Sequence, residues 1–150
     1  MVALGSSCDF AIQQFHLPVQ NAVSSLKPEE YFASGLLVRV HLDQSHALAY
    51  GMPNEVAGFF ANSPVFQVLP APADSRPHVV VGKYADENVV LSGWMLGEQF
   101  LKRKAAVVDV PYGKGKMILL GFRVQHRGQT VGAFEFLFNS LYYAGSRDLP

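Results

Sequence analysis

The sequence predicts a layered α/β domain, and three observations carry that reading. Val2-Ala3-Leu4-Gly5 is apolar, ends in a glycine and runs straight into the helical spacing of Phe10, Ile12, Phe15 and Leu17, which reads as strand, tight turn and helix. β-branched runs at Val79-Val80-Val81 and Val89-Val90-Leu91, and the strand read at Ala105 to Val110, supply further strands. A closing segment from about Gln129 to Ala144 sets Val131, Phe134, Leu137, Phe138 and Leu141 three and four residues apart, as a helix that buries one stripe would.

Taken in order, Val2 to Gly5 is expected to be a central strand and Ser7 to about His16 a helix that Pro18 stops. Ser6 and Asp9 have the spacing of a capping box, in which each side chain satisfies a backbone donor at a helix start. Leu36 to Asp43 alternates, with Val38, Val40 and Leu42 on one face and Arg39 and His41 on the other. A loop, Gln44 to Pro53, follows. Ala57 to Leu69 is apolar but broken by Asn62-Ser63-Pro64, which predicts two short extended pieces. Pro70 to Pro77 holds three prolines in eight residues and reads as a surface loop. The two valine runs after it look like neighbouring strands joined at Asp86-Glu87-Asn88. Trp94 to Leu101 permits a short helix, and Pro111-Tyr112-Gly113-Lys114-Gly115 reads as a hairpin connection into the strand Lys116 to Phe122. Gly145 is placed to cap the last helix.

Composition narrows the classes of function. One domain is the count expected of 150 residues, and 12 basic against 12 acidic side chains leave no net field to draw the chain to nucleic acid or an anionic membrane surface. The apolar run Met117 to Leu120 falls far short of the roughly 20 residues of a spanning helix, so no membrane partner is expected. Cys8 is the single cysteine, which excludes an internal disulfide and a multi-thiolate zinc site. His16, His41, His46 and His78 lack companions at ligand spacing, so no metal or cofactor is expected in this chain. Gly113-Lys114-Gly115-Lys116 lacks the full phosphate-loop pattern and joins two strands rather than opening a helix.

Two stretches carry chemical suggestion. A strand-to-helix turn at Gly5-Ser6-Ser7-Cys8-Asp9 exposes a side chain at the top of a sheet and aims helix amides at it, as a nucleophile elbow does. The elbow register puts Ser7 at the nucleophile position, Cys8 one place late and Asp9 where a second glycine belongs. The alternative is that Ser6 and Asp9 cap a helix and Cys8 is a small buried side chain. The second stretch, Leu120-Gly121-Phe122-Arg123-Val124-Gln125-His126-Arg127, leaves a strand for a polar loop and makes His126 the best-placed acid-base candidate. No acid between Asp109 and Glu135 is near in sequence to orient it.

Three motifs together, Ala47-Leu48-Ala49-Tyr50-Gly51-Met52-Pro53, Leu91-Ser92-Gly93-Trp94-Met95-Leu96-Gly97-Glu98 and Leu120 to Thr130, give the chain a family look. It resembles the carboxyl-terminal, class I glutamine amidotransferase-like domain of bacterial M14 zinc carboxypeptidase family proteins. The resemblance implies a partial flavodoxin-like layered sheet with flanking helices, the C-terminal part of a longer chain. It further implies an upstream peptidase domain as partner, zinc held only there, and a periplasmic or extracellular setting. Ser7 or Cys8 and His126 then match an amidotransferase nucleophile and histidine by position, while Gly128 stands where the family's active members have glutamate.

The favoured expectation is a catalytically silent accessory domain with a structural or ligand-positioning role. Its rival is an active hydrolase or amide transferase using Ser7 or Cys8 with His126 and an acid from afar, Asp43 or Asp109. An oligomerisation module is a third option, which neutral charge permits but no sequence patch specifies. For the silent domain, Ser6, Ser7, Arg123, Gln125 and Arg127 are expected to converge on a small carboxylate or similar anion, unless Arg123 pairs with a structural acid such as Glu98.

Overall fold

A strand apolar at every position must be covered on both faces. Ala105 to Val110 comes close to such a run, apolar but for Asp109, and all six residues are buried. The computed structural model describes residues 1–71 and 76–145 and places this run inside a large open sheet. The strand is β8 (Ala105–Tyr112), and a two-residue turn, Gly113-Lys114, returns the chain as β9 (Gly115–Leu120).

On its other edge β9 pairs with β1 (Val2–Leu4) in parallel, Ala3 opposite Leu119. From β1 the chain turns at Gly5 into α1 (Ser7–Gln14), and β2 (Val19–Asn21) then pairs antiparallel with β5 (Phe66–Val68). The long β3 (Leu36–Leu42) lies antiparallel to β4 (Glu55–Phe60) from Leu36 opposite Phe60 to His41 opposite Glu55. Between them a single 3-10 turn covers Ala47–Ala49. β6 (Val79–Tyr84) joins β3 to β8, and β7 (Val90–Ser92) pairs with β3 further along. The described residues close with a 3-10 turn, Val131–Ala133, and α2 (Phe134–Gly145). The strand order is β1-β9-β8-β6-β3-β4, with β5 tied to β8 through Phe66 and Ala105. The β1–β9 pair is the one parallel pairing among the described strands.

Two cores follow from period-two alternation along β8 and β9. Ala3, Val108, Val110 and Leu119 meet Cys8 and Ala11 of α1 on one face. Val107, Ile118, Leu120 and Phe122 meet Phe136 of α2 on the other, in a larger cluster with Val38, Val40 and Leu48. The result is a mixed α/β domain with a helix on each face of the sheet.

The alternation read in β3 and the break between β4 and β5 are observed. Five expectations need correction. β1 is an edge strand of the described sheet, not a central one. Ser6 makes no side-chain cap bond, and the Asp9 carboxylate accepts a bond from Asn21 Nδ2 at 3.0 Å, so the capping box is absent. The two valine runs do not pair with each other. Both lie along the same edge of β3, one line of chain interrupted at Asp86-Glu87-Asn88, with Val89 O accepting from Arg39 N at 2.8 Å across the gap. Trp94 to Leu101 contains only a 3-10 turn at Glu98–Phe100.

The fifth correction concerns α2. Its buried residues are Phe136 and Ser140, with Ala133 in the turn before it, while Val131, Phe138 and Leu141 of the expected stripe are 66%, 56% and 60% exposed. Gly145 is helical, and the positions that would show whether it caps the helix, 146–150, lie outside the described residues. Of the expected loop from Pro70 to Pro77, positions 72–75 lie outside the described residues.

Candidate functional site

The site forms where β9 ends. The chain there must pass close under its neighbours, because a Cβ on Gly121 would lie 2.8 Å from the Pro64 carbonyl. Gly121 N donates to Ala106 O at 2.8 Å, and two residues later Arg123 N donates to Phe59 O at 2.9 Å. The segment has crossed from β8 to β4. That crossing opens a cleft of about 630 Å³ between the Arg123 to Arg127 segment, the start of α1 at Ser6 and the turn after β4 at Asn62, with Leu137 of α2 on its wall.

Among the described residues, no acidic side chain lines this cleft, whereas Arg123, His126 and Arg127 all do. Among the described residues neither arginine has an ion-pair partner, and Glu98, the acid considered for Arg123, instead accepts a bond from Val89 N at 3.1 Å. At the helix start, Cys8 N and Asp9 N donate to the Gly5 and Ser6 carbonyls at 3.1 and 3.2 Å. The Ser6 and Ser7 amides precede these turn bonds, at the end of the helix where donors and dipole favour negative charge.

The sequence-predicted residues divide cleanly. Ser6, Arg123, Gln125, His126 and Arg127 line the cleft. Ser7 does not. Its Oγ accepts from Leu4 N at 2.9 Å and donates to Leu4 O at 2.7 Å, which ties the hydroxyl to the strand. Cys8 is fully buried in the core beneath α1, its Sγ 3.5 Å from Leu120 O, and burial pushes the thiol up to about 12. A nucleophilic cysteine needs a thiolate near neutral pH, so Cys8 is a packing residue here.

His126 lies flat on the Phe59 ring, centroids 3.9 Å apart and planes 4° from parallel. No described carboxylate pairs with it. Gly128, the position matched to the family glutamate, has φ of 71°, and Arg127 before it has φ of 49°. Any other residue at 128 would carry left-handed strain, so the turn itself disfavours an acid there. The two distant acids are engaged elsewhere. Asp43 accepts from Ser45 N and Oγ, bonds that hold its carboxyl below the ordinary value. Asp109 sits 3.4 Å from His46 Nε2, and His46 Nδ1 accepts from Leu48 N, so both imidazole nitrogens serve the fold.

Sequence reasoning missed Phe59 and Asn62. Phe59 comes from β4, far along the chain, and nothing local marks it as a platform for His126. Asn62 left a signal, since asparagine before Ser-Pro favours a turn and tolerates left-handed backbone, and its φ is 46°. Among the described residues no group of three His, Cys, Asp or Glu side chains is placed to hold a metal ion, and no helix is long and apolar enough to cross a membrane.

No protein-family model matches the chain, and no curated protein matches it. Among solved structures, one from Bacteroides uniformis that bears the name ThuA-like protein is similar to it, at 16% identity and a TM-score of 0.47. The match covers 79% of this chain and 46% of that one, so the chain spans less than half the length of the structure it resembles.

Proposed function

We propose that the chain is a catalytically silent, amidotransferase-like and partly flavodoxin-like module whose cleft holds a small carboxylate or similar anion. One observation carries this reading: Arg123, His126 and Arg127 share a cleft with the start of α1, and no described acid lines it. Guanidinium groups give charge-assisted, bidentate contacts to a carboxylate, and helix-start amides add donors of the same sign. Silence follows from the chemistry. Covalent catalysis needs a nucleophile within about 3 Å of an oriented base. Here the thiol is buried, the Ser7 hydroxyl is bound to Leu4, and His126 rests on a phenyl ring instead of a carboxylate.

The role of accessory domain to an M14 zinc carboxypeptidase belongs to the same proposal and is supported by the three sequence motifs alone. An in-frame upstream segment carrying His-x-x-Glu supports it, and an upstream frame without a peptidase removes it. The anion reading is tested by titrating acetate, succinate and sulfate into the labelled protein and following backbone amides by heteronuclear NMR. Amides of Ser6 to Asp9 are expected to shift in the wild type and to shift much less in Arg123→Ala. Absent shifts, or equal shifts in the variant, defeat the reading.

A further inference from the structure

α2 has two apolar faces, and the sheet uses only one. Phe136 and Ser140 point inward, whereas Phe138, Leu141 and Tyr142 are 56%, 60% and 82% exposed. Val131 in the preceding turn, Phe134, Phe138, Leu141 and Gly145 recur at alternating steps of three and four, the spacing of a coiled-coil seam. Such a seam fits another helix with the same repeat. Within the chain, α1 exposes a single large apolar side chain, Phe10, so it offers no matching stripe. A second copy brings an identical one.

We infer that α2 packs against α2 of a second copy of this chain about a twofold axis. Charge permits it, because Glu135 is the one charged residue of α2 and an antiparallel arrangement keeps the two carboxylates apart. Area permits it too. Taking roughly 200 Å² for a whole aromatic side chain and somewhat less for Val131 and Leu141, and counting only the exposed fractions, Val131, Phe138, Leu141, Tyr142 and the neighbouring Tyr50 offer on the order of 600 Å² per copy. Doubled, this reaches the lower end of stable interfaces, about 1,200 Å². Beside the seam, a hollow of about 390 Å³ lined by Ala47, Tyr50, Asn139, Tyr142 and Tyr143 is shaped to take a bulky side chain from the partner. None of the seam residues lines the basic cleft, so the pairing is tested separately from anion binding.

Sedimentation equilibrium of the full chain from about 1 to about 200 µM tests the pairing. The wild type is expected to dimerise in that range. Phe138→Asp and Leu141→Asp, each checked for native circular dichroism, should weaken association by at least about 100-fold, because a charge desolvated at the centre of a seam has no partner. Trp94→Asp, at a site 65% exposed on another surface, should leave the dimer intact. A wild type monomeric throughout overturns the inference and assigns the seam to a different chain. A dimer that survives both α2 variants, or is lost equally in Trp94→Asp, overturns it as well.

Discussion

α1 and α2 lie on opposite faces of the same two strands, yet they meet the sheet in opposite ways. α1 turns small residues inward, Cys8 and Ala11, and leaves Gln13 and Gln14 to solvent. α2 turns Phe136 and Ser140 inward and leaves bulkier side chains outside. Both helices satisfy their strands. What differs is the outward face, and a helix apolar all round is stable as a surface element only if something covers it. The comparison teaches that the periodicity of a helix names its axis of asymmetry without naming which side the sheet will take.

The strongest way to break the comparison is inside α2. Phe136 is fully buried and meets Phe122 edge to face at 5.8 Å, so Phe136→Ala should cost about 3–5 kcal/mol in urea unfolding. Phe138→Ala, measured at a concentration where the chain is monomeric, should stay within about 0.5 kcal/mol. Equal losses would mean that the inward and outward faces have been misassigned.

Alkaline unfolding sharpens the α1 side. The Cys8 thiol is raised from 9.0 to about 12, chiefly because burial disfavours its anion. Above pH 9 the unfolded chain loses this proton and the folded chain keeps it, so the full contribution is present below pH 9. It falls by roughly 1.4 kcal/mol per pH unit from there toward 12. Tyr31 and Tyr84 are raised by burial as well and add a slope of the same sign. The diagnostic quantity is therefore the difference between wild type and Cys8→Ala, which should be flat below pH 9 and shrink above it. Native Cys8 should also resist iodoacetamide at neutral pH until the chain is unfolded.

The smallest expected effect separates two adjacent serines. Ser7→Ala removes two hydrogen bonds to Leu4 and should cost about 1 kcal/mol. Ser6→Ala removes no side-chain bond and should be neutral within about 0.5 kcal/mol. The reverse order would restore the capping box read from the sequence.

Local chemistry made much of this fold legible. The alternation of β3, the Asn62-Ser63-Pro64 break and the Gly113-Lys114 turn were all readable because each is decided within a few residues. The cleft was partly legible for the same reason: Arg123, Gln125, His126 and Arg127 belong to one short segment leaving a strand. Phe59 was not, because its meeting with His126 depends on which strand β9 runs toward as it ends. Pairing partners were equally hidden. Nothing in the two valine runs says that both would line one edge of β3 instead of pairing with each other, and nothing in Val2 to Leu4 says that β1 lies at a margin. The facing of α2 was misread because its outer stripe is the more hydrophobic of the two.

The Ser7 hydroxyl also bears on the open edge of β1. β1 lies at a sheet margin, where open backbone groups invite another chain to add a strand and seed aggregation. Leu4 offers both its N–H and its C=O on that margin, and a single hydroxyl occupies the two at once. A strand approaching from outside would have to evict Ser7 before it could dock. Three residues of strand, one of them plugged, make a poor template, and the molecule guards this border with one oxygen atom.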